Sequence, residues 1–206
     1  MTGAAQTDRT AADGRHGFTF GFMTVTTATG PRLSKYLAYW VNDGDQWRVA
    51  AYKRGPRADG EVVMDVLPPA LPDALVPVVT DPATIAARRD GLIAAKQAFS
   101  DQAQQIGLGP AFSRQGWPDA MNLGGGREAG FVIGNEHIGR LLGGAYPDAT
   151  SPLHWSADDA IVASSGDLGV TIGRIYVHAQ PDRTPCPVFT IWRRDPVTGV
   201  WKYIAE

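Results

Sequence analysis

Residues 163–206 read ASSGDLGVTIGRIYVHAQPDRTPCPVFTIWRRDPVTGVWKYIAE. Three runs in this stretch, 169–177, 188–194 and 200–205, are β-rich or alternating, with turn chemistry between them. That is the pattern of an antiparallel meander. Asp195-Pro196-Val197-Thr198-Gly199 supplies the last turn, because proline presets φ and glycine tolerates positive φ.

The chain says this twice. Gly17-Phe18-Thr19-Phe20-Gly21 answers Gly169-Val170-Thr171-Ile172-Gly173, Trp40 answers Trp192, and Trp47 answers Trp201. The offset stays between 152 and 154 residues, the small change being a longer second turn. Coincidence of glycines, tryptophans and turns at one offset reads as a tandem duplication. The second copy has a long preamble before its meander, and the first has almost none.

Composition bounds the function classes. The 206 residues are 44% hydrophobic and 19% charged, with a net charge of −2, as in ordinary globular chains. Such a balance offers no electrostatic case for nucleic acid or an acidic membrane surface. No apolar run reaches the roughly 18 residues of a membrane span. Cys186 is the only cysteine, which excludes an intramolecular disulfide and cysteine-based zinc sites, and it reads as a quiet strand residue. The first residues are small and polar and lack the apolar core of a signal peptide. The expected location is the cytoplasm, or export if the true start lies upstream.

Taken in order, residues 1–10 read as disorder or the stub of a strand. Asp13-Gly14 is a turn, 17–26 a strand, and 36–42 with 46–54 a hairpin turned at Asp43-Gly44. Residues 61–66 read as a short strand or extended arm. Pro68, Pro69, Pro72, Pro77 and Pro82 mark a stiff connector. Asp81 caps a long helix with Pro82 in its first turn; Leu92, Ala95, Phe99, Ala103 and Ile106 share one face, and Gly107 ends it. Residues 110–115 form a second helix, a strand lies around 120–123, and Gly124-Gly125-Gly126 turns the chain. A brief strand at 131–133 precedes a third helix at 136–142, capped by Asn135 and closed by Gly143-Gly144. Residues 152–165 hold a strand or two turned at Asp158-Asp159. The expected organisation is a sheet fragment at 1–66, a connector at 67–81, and a complete α+β domain at 82–206, its three helices on one side of a curved antiparallel sheet.

This order resembles the cystatin-like cone of the nuclear transport factor 2-like superfamily, in its SnoaL-like and domain-of-unknown-function branches. The residues that carry the likeness are Phe99-Ser100-Asp101, Pro118-Asp119-Ala120, the run from Gly134 to Arg140, the run from Ser165 to Gly173, and Trp192-Arg193-Arg194 with Trp201-Lys202. The likeness spans 85–206 completely, and 11–54 only as the back half of a first cone. It implies helices on the concave side of a cone and an apolar pocket between the long helix and the sheet. It also implies that the first copy lacks its helices, which leaves an apolar sheet face to be covered. A misassigned start, completion by the second copy or another subunit, and a degenerate duplication are the competing accounts.

The superfamily's isomerase branch uses an Asp base, a helix Tyr and a late-strand Asp, and this chain departs at all three positions. The base position falls near Leu123-Gly124, the long helix has no Tyr, and the late-strand position falls near Thr190. A His–Asp pair is the remaining catalytic candidate: His154 on a strand as base, with Asp119 or Asp167 orienting it. His137 reads as solvated, and His16 and His178 as surface residues. No histidine spacing suggests a metal site. Trp117, Asn122, Trp155, Thr190 and Trp192 are the candidate ligand-binding residues, although sheet core suits the tryptophans as well. Gly124-Gly125-Gly126-Arg127 lacks the Lys-Ser/Thr of a phosphate loop.

The leading expectation is a small-molecule-binding protein with an apolar pocket, no assigned catalysis, no cofactor, and a homodimeric state. The alternatives are a lyase or isomerase on a small hydrophobic substrate, and a non-catalytic dimerising scaffold. A carboxylate beside His154 favours the enzyme, and a pocket closed by packed tryptophans favours the scaffold.

Overall fold

The computed structural model describes residues 2–62 and 75–206, with backbone alone for 2–9. Among the described residues it is an α+β structure with three helices, a four-stranded sheet and a six-stranded sheet. The chain divides into two compact units: Met1–Pro77 with Asn122–Val132, and Val78–Met121 with Ile133–Glu206.

The first unit is a meander of β1 (Thr2–Thr10), β2 (His16–Thr27), β3 (Gly30–Asn42) and β4 (Trp47–Pro56), hydrogen-bonded in that order. The opening residues, expected as disorder or a stub, pair with β2 over most of their length. Gly14 makes the first turn at φ 66°, its N–H donating to the Ala11 carbonyl. Glu61 and Val62 are irregular; the rest of the arm expected at 61–66, and Pro68, Pro69 and Pro72, lie outside the described residues.

Alternation along β2 and β3 puts Phe18, Phe20, Phe22, Lys35, Leu37 and Tyr39 on one buried face. Asn122–Val132, a segment distant in sequence, covers part of it: the Phe131 ring lies 5.3 Å from Phe20, edge-on, and 5.0 Å from Phe22. Lys35 ties that segment down. Its Nζ donates to the Gly130 carbonyl at 2.7 Å and the Glu128 carbonyl at 3.1 Å, and burial pulls its pKa below the ordinary lysine value.

The second unit begins with α1 (Pro82–Ile106) and α2 (Leu108–Gln115). Then come β5 (Gly116–Asn122), β6 (Val132–Ile133), α3 (Asn135–Ala145), β7 (Leu153–Val162), β8 (Leu168–Val177), β9 (Cys186–Arg194) and β10 (Trp201–Ala205). The strand order is β6-β5-β10-β9-β8-β7. β5 runs parallel to β10, and β7 to β10 form an antiparallel meander. α1 starts as its sequence dictates: the Asp81 carboxylate accepts from the Thr84 N–H at 2.9 Å, and Gly107 ends the helix at φ 86°. Its buried stripe is Leu92, Lys96, Phe99, Ser100 and Ala103, so Lys96 and Ser100 replace the expected Ala95 and Ile106.

Two local expectations need correction. Asn135 does not cap α3 with its side chain; it is the first helical residue after Gly134 (φ 92°), and its Nδ2 donates to the Ser113 carbonyl of α2. The helix also runs through Gly143-Gly144 to Ala145. Gly143 lies at a close helix–helix contact and does not end the helix. A Cβ on Gly109 would lie 2.7 Å from the Gly143 Cα and 2.6 Å from the Gly139 carbonyl oxygen. The turn expected at Asp158-Asp159 is instead an irregularity within one strand, β7, between Ala157 and Asp159.

The two meanders share their register. Gly17 pairs with Trp40 as Gly169 pairs with Trp192, Gly21 with Tyr36 as Gly173 with Val188, and Thr2 with Thr24 as His154 with Tyr176, always 152 residues apart. Ala11 N–H donates to the His16 carbonyl, and Ala163 N–H to the Leu168 carbonyl. The β3–β4 register slips between Tyr39 and Trp40, and β9–β10 slips at the matching Ile191–Trp192 pair.

Candidate functional site

In the second unit, α1 lies across β7, β8 and β9, and the side chains between them are almost entirely excluded from solvent. Phe99 is the centre. Its ring lies 4.8 Å from Trp155, 4.9 Å from Phe112, 5.7 Å from Tyr203 and 6.2 Å from Trp192, mostly edge-to-face, as aromatic quadrupoles prefer. Trp192 Nε1 donates to Thr171 Oγ1 at 2.9 Å, and Tyr203 Oη donates to the Phe112 carbonyl at 3.0 Å. Both polar ends are satisfied inside the core.

One charged side chain enters this aromatic cluster. Lys96 is 2% exposed, its Nζ donates to Thr190 Oγ1 at 2.7 Å, and the ammonium stands 5.4 to 6.0 Å from the ring centres of Trp155, Trp192 and Phe99. Beside it, the buried Trp155 Nε1 has no hydrogen-bond partner among the described residues. Isolated burial of an ammonium costs many kcal/mol, and rings facing a cation return on the order of 0.5–2 kcal/mol each. The cluster is therefore a donor-rich, aromatic-walled centre. Of the sequence candidates it gathers Trp155, Thr190 and Trp192.

The other candidates lie elsewhere. His154 is exposed, and its Nδ1 is 2.9 Å from Nε2 of His178, with the ring stacked on Tyr176 at 4.8 Å. His154, Tyr176, His178, Gln180 and Arg183 line a cleft of about 310 Å³. Asp119 is exposed in the middle of β5, and the half-buried Asp167 accepts from Ser165 Oγ within its own turn. Trp117 Nε1 donates to the Arg193 carbonyl at 3.2 Å with the Arg193 guanidinium over its ring, and Asn122 Oδ1 accepts from the Gly124 N–H at 2.7 Å. No protein-family model matches the chain, and no curated protein matches it.

His16, expected at the surface, is 9% exposed with Nδ1 3.1 Å from Tyr39 Oη, because it opens β2 rather than sitting in the turn. His137 is exposed, as is the free thiol of Cys186. Among the described residues no group of three His, Cys, Asp or Glu is placed to hold a metal ion, and no helix is long and apolar enough to cross a membrane. Lys96 is the residue that the sequence reading missed. Its signal was spacing: 92, 96, 99 and 103 follow i, i+4, i+7 and i+11, which puts a lysine on the buried stripe.

Proposed function

We propose that the second unit is a small-molecule-binding domain whose ligand is largely apolar and carries an anionic or carbonyl oxygen, held at Lys96. The observation that carries this reading is the Lys96 ammonium, 2% exposed among Phe99, Trp155 and Trp192 with Thr190 as its hydroxyl partner. An apolar core needs no ammonium, and hydrophobic replacement of buried charge is often neutral or stabilising. A ligand oxygen on the Thr190 side would be a further acceptor for this ammonium, at the strength of a charge-assisted hydrogen bond. Trp155 stands on β7, an edge strand, and its indole N–H has no described partner to lose when the ring moves aside.

The order of elements in the second unit supports the cone reading: long helix, short helix, two strands, helix, four antiparallel strands. The shared register of the two meanders supports the tandem duplication. The lyase or isomerase alternative has less to stand on, since His154 faces solvent and its close partner is His178. The scaffold alternative rests on the tight packing of Trp192, Tyr203 and Phe99, each 0% exposed.

Titration with decanoate and with decanol, followed by calorimetry, tests the reading. The acid binds at least tenfold more tightly than the alcohol, and Lys96→Met removes that preference while leaving the alcohol unchanged. Equal affinities, or a preference that survives Lys96→Met, defeat the proposal. Absence of binding by either leaves the scaffold reading in possession.

A further inference from the structure

In the second unit, α1 lies on the meander face that carries Gly169, Thr171, Thr190 and Trp192. Leu92 fits over Gly169, where a Cβ would approach its Cδ2 to 2.7 Å; Lys96 reaches Thr190, and Phe99 meets Trp192. At the same register in the first unit stand Gly17, Thr19, Ala38 and Trp40, and Trp40 Nε1 donates to Thr19 Oγ1 at the 2.9 Å seen for Trp192 and Thr171. Val49 faces Trp40 as Tyr203 faces Trp192.

The first unit has no helix among its described residues. Phe131 and its segment occupy the opposite face. The helix-side face leaves Trp47 43%, Val49 47% and Tyr52 51% exposed, with Tyr36 and Trp40 half-buried beside them. Tyr52 and Tyr36 stack at 6.3 Å, so this is a contiguous aromatic surface rather than scattered residues.

Charge says what covers it. β2, β3 and β4 contain no acidic residue, and exposed Arg32 and Arg54 sit on this same face. In the second unit α1 runs from the Gly169 row, under Leu92, to the Trp155–Ile175 row, where Ser100 Oγ accepts from the Trp155 N–H. A helix laid the same way on the first unit passes the Met23 row and carries its last turns toward Arg32, so the negative end of its dipole meets a basic residue. A second copy fits poorly at the open edge. The edge strand β4 contains basic residues and no acidic one, so pairing with a second β4 brings no opposite charge to the seam.

We propose that this face is the docking surface for an amphipathic α-helix of a partner polypeptide. The helix carries apolar residues at i, i+4, i+7 and i+11, as α1 carries its buried stripe, and acidic residues in its last turns. The proposal stands on the register of the two meanders and is independent of ligand binding at Lys96.

The test is fluorescence anisotropy of a labelled synthetic peptide with the sequence of residues 81–107 carrying K96L, Q104E and Q105E, titrated with the full chain. The expected dissociation constant is on the order of 100 µM or tighter. The double substitution Val49→Asp/Tyr52→Asp, both at exposed positions, weakens it at least tenfold. Arg32→Glu/Arg54→Glu weakens it at least threefold, with circular dichroism unchanged in both variants. No binding, or binding that either double variant leaves intact, overturns the proposal. So does light scattering that shows the chain alone as a dimer which Val49→Asp/Tyr52→Asp dissociates, since a second copy is then the occupant.

Discussion

Trp192 Nε1 donates to Thr171 Oγ1 across β8 and β9 at 2.9 Å, and 152 residues earlier Trp40 makes the same bond to Thr19 across β2 and β3. The two bonds have one geometry and different surroundings. Trp192 is 0% exposed beneath α1, whereas Trp40 is half-buried on a face that carries no helix among the described residues. Thr171→Val leaves a buried indole N–H unsatisfied and costs about 1–3 kcal/mol, while water replaces the hydroxyl lost in Thr19→Val, which costs less than about 1 kcal/mol. Urea unfolding of the two variants measures the contrast. Equal costs would show that the two faces are equally dry.

The glycines of α2 and α3 make a second contrast. Gly139 has no room for a side chain, since a Cβ there would lie 2.7 Å from the Gly109 carbonyl oxygen and overlap Ser113 Oγ, whereas a Cβ on Gly144 meets nothing within 4 Å. Gly139→Ala forces the helices apart and costs about 1–3 kcal/mol, and Gly144→Ala stabilises by up to about 1 kcal/mol through helix propensity. Thermal melts of both variants should move in opposite directions.

Those glycines also show where sequence reading stops. Gly143-Gly144 carries the local signal of a helix end, but the helix continues because Gly109 and Gly139 let two helices approach closely, a tertiary fact with no local mark. The meander of 163–206 and α1 were legible because alternation, caps and turns are local. Asp81, Gly107 and the turn at Asp195, whose Oδ1 accepts from the Val197 and Thr198 N–H groups, do what their residue types do anywhere. The site was legible only in part. Trp155, Thr190 and Trp192 follow from strand alternation, but Lys96 was hidden by the habit of assigning lysines to the solvated face. The place of Asn122–Val132 within the first unit rests on Phe131 and on Lys35 bonded to two carbonyls some 95 residues away, which no periodicity announces.

Asp81 makes a pH-dependent cap. Its carboxylate accepts from the Thr84 hydroxyl and N–H, and these bonds hold its pKa below the ordinary aspartate value. A depressed folded-state pKa gives stability that is present above the unfolded-state value, about 3.9, and is lost as pH falls through the folded one. Asp81→Ala at pH 7 lowers stability, as deletion of an N-cap does. At pH 2 the difference between the variant and the natural chain shrinks. A difference as large at pH 2 as at pH 7 would assign the effect to helix propensity instead.

Tyr203 sets the alkaline limit of the second unit. Its ring is 0% exposed against Phe99 and Phe112, its hydroxyl donates to the Phe112 carbonyl, and burial raises its pKa far above the ordinary tyrosine value, with Glu206 and Glu136 adding to the shift. A raised folded-state pKa gives stability that is complete below the unfolded-state value, about 10, and is lost progressively above it, because only the unfolded chain ionises there. Unfolding free energy therefore falls as pH rises beyond about 10, and the 295 nm absorbance of this phenolate appears only with unfolding. Tyr203→Phe costs about 1 kcal/mol at neutral pH through the lost hydrogen bond and flattens the alkaline slope. An alkaline slope unchanged in Tyr203→Phe would mean that another group controls the transition, and that the phenol ionises in place.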